Sequence, residues 1–195
     1  MNTGQMLLVL GALVILGAVT VSVNSMLASK TQTMLNAEAD LMAVSIAQSM
    51  IDEAMSAAFD TKVVADTVKV FTDSSQFTPP GSLGPSAAEA SMVPLPEPPD
   101  TNGAYKSLRF YNDFDDYNGY RRYVYTSMGL FSVCDTVFYV KESDPDQIAP
   151  AQTFYKKIVV TVRHMNLAPE GSAFSPWSGR GYFQLSDVAV YRRYF

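Results

Sequence analysis

The first 29 residues carry no Asp, Glu, Lys or Arg, and Lys30 is the first charge. Within that block residues 6–23 read MLLVLGALVILGAVTVSV, eighteen positions without a strongly polar side chain. A run of that length crosses a bilayer as a helix. The spacing then changes. Residues 26–59 are rich in Ala, Met, Leu, Gln and Glu, which favour helix. Leu35, Met42, Ile46, Met50, Ala54 and Ala58 recur at helical spacing, and Leu41, Val44, Ile51 and Met55 widen the stripe. This phase puts Glu38, Asp40, Asp52 and Glu53 on the polar side. No proline interrupts residues 1–71, so one helix over about 6–59, roughly 80 Å long at 1.5 Å per residue, is expected. The alternative is a membrane helix and a domain helix with a break near Ser25 or Ser29.

Beyond Asp60 the pattern is different again. Residues 63–71 are a short run with strand leanings. Residues 72–104 hold seven of the eleven prolines and predict an irregular surface connection. The last third alternates with a period of two. Residues 121–126 and 130–141 read as strands. In 154–164, Ile158, Val160 and Val162 fall on one face, with Lys157, Val159, Thr161 and Arg163 on the other. In 182–195, Phe183, Leu185, Ala189 and Tyr191 oppose Gln184, Ser186, Val188, Val190 and Arg192. Half-buried strands in succession, without helices between them, make an antiparallel sheet. The expected fold is α+β. Residues 1–29 form an uncharged apolar helix, 30–60 its amphipathic continuation, 61–104 the Pro-rich connection and 105–195 the antiparallel sheet, packed on the second half of the helix.

Composition narrows the function. The chain is 48% hydrophobic and 17% charged, which excludes wholesale disorder. A net charge of -5 and a pI near 4.8 argue against a nucleic-acid partner. The single Cys134 excludes an intrachain disulfide and a Cys-based zinc site. The single His164, at a strand end, leaves little for His-ligated metals or a Ser-His-Asp hydrolase. Cys134 reads as a small buried apolar residue. There is no nucleophile elbow, phosphate-cradling glycine loop or metal-ligand cluster, so no enzyme is expected and no catalytic residue is assigned.

Three readings of the apolar block compete. A secretory signal peptide needs a basic start and a small-residue cleavage site, and neither is present. A plain membrane anchor is the second. The third is a helix that sits first in a membrane and later in an apolar assembly, and the uninterrupted run into an amphipathic helix favours it.

Three segments then carry a family resemblance: GQMLLVLGALVILGAVTVSV over 4–23, AEADLMAVSIAQSMIDEAMSAAFD over 37–60, and DFDDYNGYRR over 113–122 followed by FYKKIVVTVRH over 154–164. Together they resemble type IV pilins and the pseudopilins of type II secretion systems. The second and third are similar to minor pilins of the mannose-sensitive haemagglutinin type. The resemblance implies a subunit of a cell-surface filament or pseudopilus. Such a subunit is anchored in the inner membrane before assembly, and its partners are further pilin-like subunits. Gln5, Met6, Leu7, Leu8, Leu10, Leu13, Val14 and Leu16 are the implied assembly residues. Family precursors are cut after a glycine and methylated on the new N-terminus, which makes Gly4 and Gln5 the candidate processing site, with Met1 as the alternative mature start. The family's acidic fifth position is Gln5 counted from Met1 and Val9 counted from Gln5; Gln5 offers only a neutral carbonyl acceptor. The runner-up function is a membrane-anchored envelope module that binds a ligand through residues 72–104.

One candidate metal site remains. Asp113, Asp115, Asp116 and Asn118 place oxygen ligands ahead of Gly119, a set that suits Ca²⁺. The spacing is not that of an EF-hand, because Gly119 at the loop glycine puts Phe114 at the first ligand position. The favoured alternative is a polar turn with Asn118-Gly119 at positive φ. Its carboxylates would be compensated by Arg109, Arg121 or Arg122, or simply solvated. No other cofactor is expected.

Overall fold

The computed structural model describes residues 2–94, 105–168, 175–177 and 181–191. The chain divides into two compact units, Met1–Glu38 and Ala39–Phe195. The first is helical. Helix α1 runs from Thr3 to Met55 and passes through Ser25 and Ser29 without interruption, so the chain forms the single expected helix and not the alternative with a break. The hydroxyls of Thr20, Thr31 and Thr33 donate to the carbonyls four residues earlier, at 2.8, 2.9 and 3.0 Å. This internal bonding lets polar side chains sit in an apolar helix without leaving donors unmet.

In the second unit, α1 contributes Ala39, Ala43, Ile46, Ala47, Met50, Ile51 and Ala54 to the main core. Ile46, Met50, Ile51 and Ala54 of the expected stripe lie in this core, and Met42 packs against it, but the rest of the stripe lies outside it. Leu41 is 73% exposed, and Leu35, Val44 and Met55 are also exposed, whereas Glu53 is buried. Small residues at the seam let the helix lie close to large sheet side chains such as Phe131, Val133 and Ile158. A reading weighted by hydrophobicity favours leucine over alanine and so misplaces the seam.

The segment 61–94 is more structured than its prolines implied. Residues 63–71 form no strand. Instead helix α2 (Thr61–Ala65) starts at Asp60, whose side chain accepts from the Lys62 N–H. Helix α3 (Ala87–Met92) fits between Pro85 and Pro94 and begins with a Ser86–Glu89 capping box. Phe71, Phe77 and Val93 are buried, so this segment closes the domain as well as connecting it. Phe71 and Phe77 join Tyr139 and Ala149 in a second, aromatic core, with Phe59, Phe154 and Tyr191 packed around it. Pro96, Pro98 and Pro99 lie outside the described residues.

A short helix α4 (Ser107–Phe110) precedes the five strands β1 (Arg121–Thr126), β2 (Gly129–Lys141), β3 (Asp144–Ile148), β4 (Tyr155–Arg163) and β5 (Tyr182–Val190). Among the described residues all strand pairs are antiparallel, in the order β1-β2-β4-β5, with β3 pairing to the far end of β2. Strand β3 was not anticipated, because DPDQI shows no alternation and contains a proline. The inward face of β4 carries Lys156, Ile158, Val160 and Val162. Phe183, Leu185 and Ala189 of β5 lie against the same core. The expected strand ending at residues 192–195 falls outside the described residues.

Candidate functional sites

In unit Met1–Glu38 the side chains of residues 2–35 are exposed throughout. Met6, Leu7, Leu8, Leu10, Leu13, Val14 and Leu16 are each more than half exposed. The most apolar 18-residue window has a mean hydropathy of 2.7, none of it buried, and the helix is long and apolar enough to cross a membrane. A Cβ added at Gly4, Gly11 or Gly17 would meet nothing within 4 Å, so these positions leave room for close helix approach. Gly4 and Gln5 lie in the first turn of α1, where the Gln5 N–H donates to Asn2 O at 2.9 Å.

The acidic turn is a buried 3₁₀ segment, Phe114–Tyr117, not a solvated loop. Asp113 caps it, its Oδ1 accepting from the N–H groups of Asp115 (2.9 Å) and Asp116 (3.3 Å). Asp116 Oδ2 returns the favour to the N–H groups of Asn112 (2.9 Å) and Asp113 (3.2 Å). The Asn118 amide links Val137 N–H to Leu83 O, at 3.1 and 3.0 Å. Gly119 adopts φ +82, as a turn glycine should, while Asn118 stays extended at φ -70.

Arginine pairing is not how the charge is met. Arg109 stacks on Phe110, Arg121 lies over Trp177, and Arg122 pairs with Glu53. The cation for Asp115 is Lys156, which is fully buried on β4 and donates to Asp115 Oδ1 (2.7 Å), Asp60 Oδ2 (2.8 Å) and Phe59 O (2.8 Å). Its ammonium also faces the rings of Phe59 and Tyr139. Burial pushes the Asp115 carboxyl up to about 8 against the pull of Lys156, with Asp113 beside it adding to the rise. Burial likewise lifts Asp116 to about 6, against the two N–H groups it accepts from. Burial also acts to raise Asp60, but Lys156 and the N–H groups of Lys62 and Thr78 outweigh it and hold Asp60 below its ordinary value.

A second buried cluster joins α1 to β1. Arg122 Nη1 reaches Glu53 Oε2 at 2.7 Å, while Glu53 Oε1 accepts from the hydroxyls of Ser107 and Tyr117. The pattern placed Glu53 on the polar side of the helix, where the structure buries it, and gave Lys156 and Asp135 no role. Each announced itself as a charged residue in the inward phase of its element: Glu53 three beyond Met50, Lys156 two before Ile158, Asp135 between Val133 and Val137.

The remaining candidates are modest. Among the described residues no group of three or more His, Cys, Asp or Glu is arranged to hold a metal. Cys134 is half-buried on the outward phase of β2, not a core residue; burial raises its thiol, and Arg121 opposes this. His164 directly follows β4, which ends one residue short of the expected strand end. It is buried, stacks on Phe131 at 4.2 Å and caps a short 3₁₀ turn, and burial lowers its pKa. Comparison of the chain with family models, curated proteins and solved structures finds no match.

Proposed function

We propose that this chain is a structural subunit of an extracellular type IV pilus-like filament or pseudopilus, assembled through its apolar N-terminal helix. The observation that carries the reading is the exposed, charge-free run 6–23 within a helix whose later residues belong to an antiparallel-sheet domain. No residue before Ala39 enters either apolar core, so the domain's own packing leaves that run unused. Covering a Leu- or Val-sized side chain from water contributes roughly 1.5–3 kcal/mol. In a bilayer that driving force between helices disappears, because lipid is equally apolar. A subunit therefore waits in the membrane and leaves it when neighbouring apolar helices replace the lipid. The work is assembly, not catalysis, and Gln5 would meet a neighbour's ammonium with a neutral carbonyl in place of a carboxylate.

The test is Leu13→Lys. A charge at the centre of such a helix costs about 2.5–3.5 kcal/mol on insertion scales and has no partner in an apolar bundle. Filaments should vanish while the domain unfolds at an unchanged urea midpoint. Normal filaments from a Leu13→Lys strain would remove the proposal.

A further inference from the structure

Strand β2 holds a carboxyl group that neither cluster above uses. Asp135 is 0% exposed, and neither of its carboxyl oxygens has a hydrogen-bond partner among the described residues. Its backbone is fixed by Asp135 N–H donating to Tyr120 O (3.0 Å) and Gly119 N–H donating to Asp135 O (3.0 Å). The side chain shares the inward phase of Val133 and Val137, facing the core that α1 also enters. Arg122 stands on the same side, 2% exposed, with one nitrogen on Glu53 and its Nε without a partner. The charged and titratable groups around Asp135 are Glu53 from α1, Tyr111 after α4, Tyr120 and Arg122 at the start of β1, and its β2 neighbour Cys134. One cation thus serves two buried carboxyl groups, and only Glu53 is bonded to it. An unpaired carboxylate in such a place carries a heavy desolvation penalty, which a proton removes.

We propose that Asp135 is carried as the neutral acid in the folded domain and acts as a proton-operated latch: loss of the proton draws the Arg122 guanidinium from Glu53 and loosens α1 from the sheet. Burial holds the Asp135 carboxyl well above the carboxylate range, with Arg122 opposing and Glu53 reinforcing. The folded chain then binds a proton that the unfolded chain releases. The stabilisation is complete below the unfolded carboxylate range and is lost as pH rises toward the folded value. Asp115 and Asp116 titrate in the same sense and Asp60 in the opposite one, so the diagnostic quantity is the difference between wild type and Asp135→Asn.

Two measurements on the full chain in detergent micelles decide it. Infrared spectroscopy at neutral pH should show buried protonated-carboxyl absorption, part of it from Asp115, with a component that Asp135→Asn removes and Asp115→Asn leaves in place. Between mildly acidic and mildly alkaline pH, the wild-type unfolding constant should rise at least about tenfold more than that of Asp135→Asn, the equivalent of one unit of pKa shift. Should the Asn variant not fold, Asp135→Thr, which suits a strand, takes its place. A band unchanged by the substitution, or parallel pH profiles, would overturn the latch.

Discussion

Removing Lys156 is the most informative single change in the domain. Its ammonium meets three oxygens at 2.7–2.8 Å, two of them on the carboxyl groups of Asp60 and Asp115, with no exposure of any of the three side chains beyond 1%. Lys156→Met keeps the stem's packing and deletes the charge. Breaking a buried pair by removing one partner costs about 3–5 kcal/mol, because the other charge is stranded. The lower end applies, since burial already holds Asp115 toward its neutral form near pH 7 while Asp60 is the carboxylate left behind. The sign with pH follows from Asp60. Its depressed value makes it stabilising above the unfolded carboxylate range, and that stability is lost as pH falls through the folded value. The variant has no such stability to lose, so its deficit shrinks on acidification. Urea unfolding of the full chain in micelles, read by near-ultraviolet dichroism, gives both midpoint and slope. The slope should stay constant, showing that stability and not compactness changed. A deficit below about 1 kcal/mol at neutral pH, or one of equal size at all pH values, would refute the argument that the ammonium compensates Asp60.

Further outcomes follow from the same geometry. Met50→Ala should destabilise the domain by about 2–5 kcal/mol in the same assay, since Met50 is fully buried at the helix–sheet seam; exposed Leu41→Ala should change it little. A chelator should leave the melting temperature of the domain unchanged, because Asp113, Asp115 and Asp116 are bonded to backbone N–H groups and Lys156; a Ca²⁺-reversible drop would show otherwise. A chain beginning at Lys30 should be soluble and monomeric by sedimentation, since both cores are built from Ala39 onward.

Much of this fold was legible because its elements follow their periods. The alternation of Ile158, Val160 and Val162 located the face of β4, and the uncharged run 6–23 located the apolar helix. What stayed hidden has physical causes. Ala39, Ala43 and Ala47 make the helix seam by being small, a property that hydrophobic ranking undervalues. The helices α2 and α3 depend on caps at Asp60 and Ser86, which override the β-leaning run at Val63–Val64 and the flanking prolines. At the acidic turn, the residues nearest in sequence were the wrong partners. Lys156 lies 41 positions from Asp115, and only the sheet brings them together. Glu53 and Asp135 were misread or passed over because a charged residue in an apolar phase looks like an interruption until its partner is known.

The central claim is that the apolar helix builds a filament. Negative-stain microscopy of native cells, with gold-labelled antibody raised against the unit Ala39–Phe195, tests it most directly. Gold distributed along surface filaments, and lost together with them in the Leu13→Lys strain, is the predicted result. Unlabelled filaments, with the chain recovered only as dispersed protein, would contradict it.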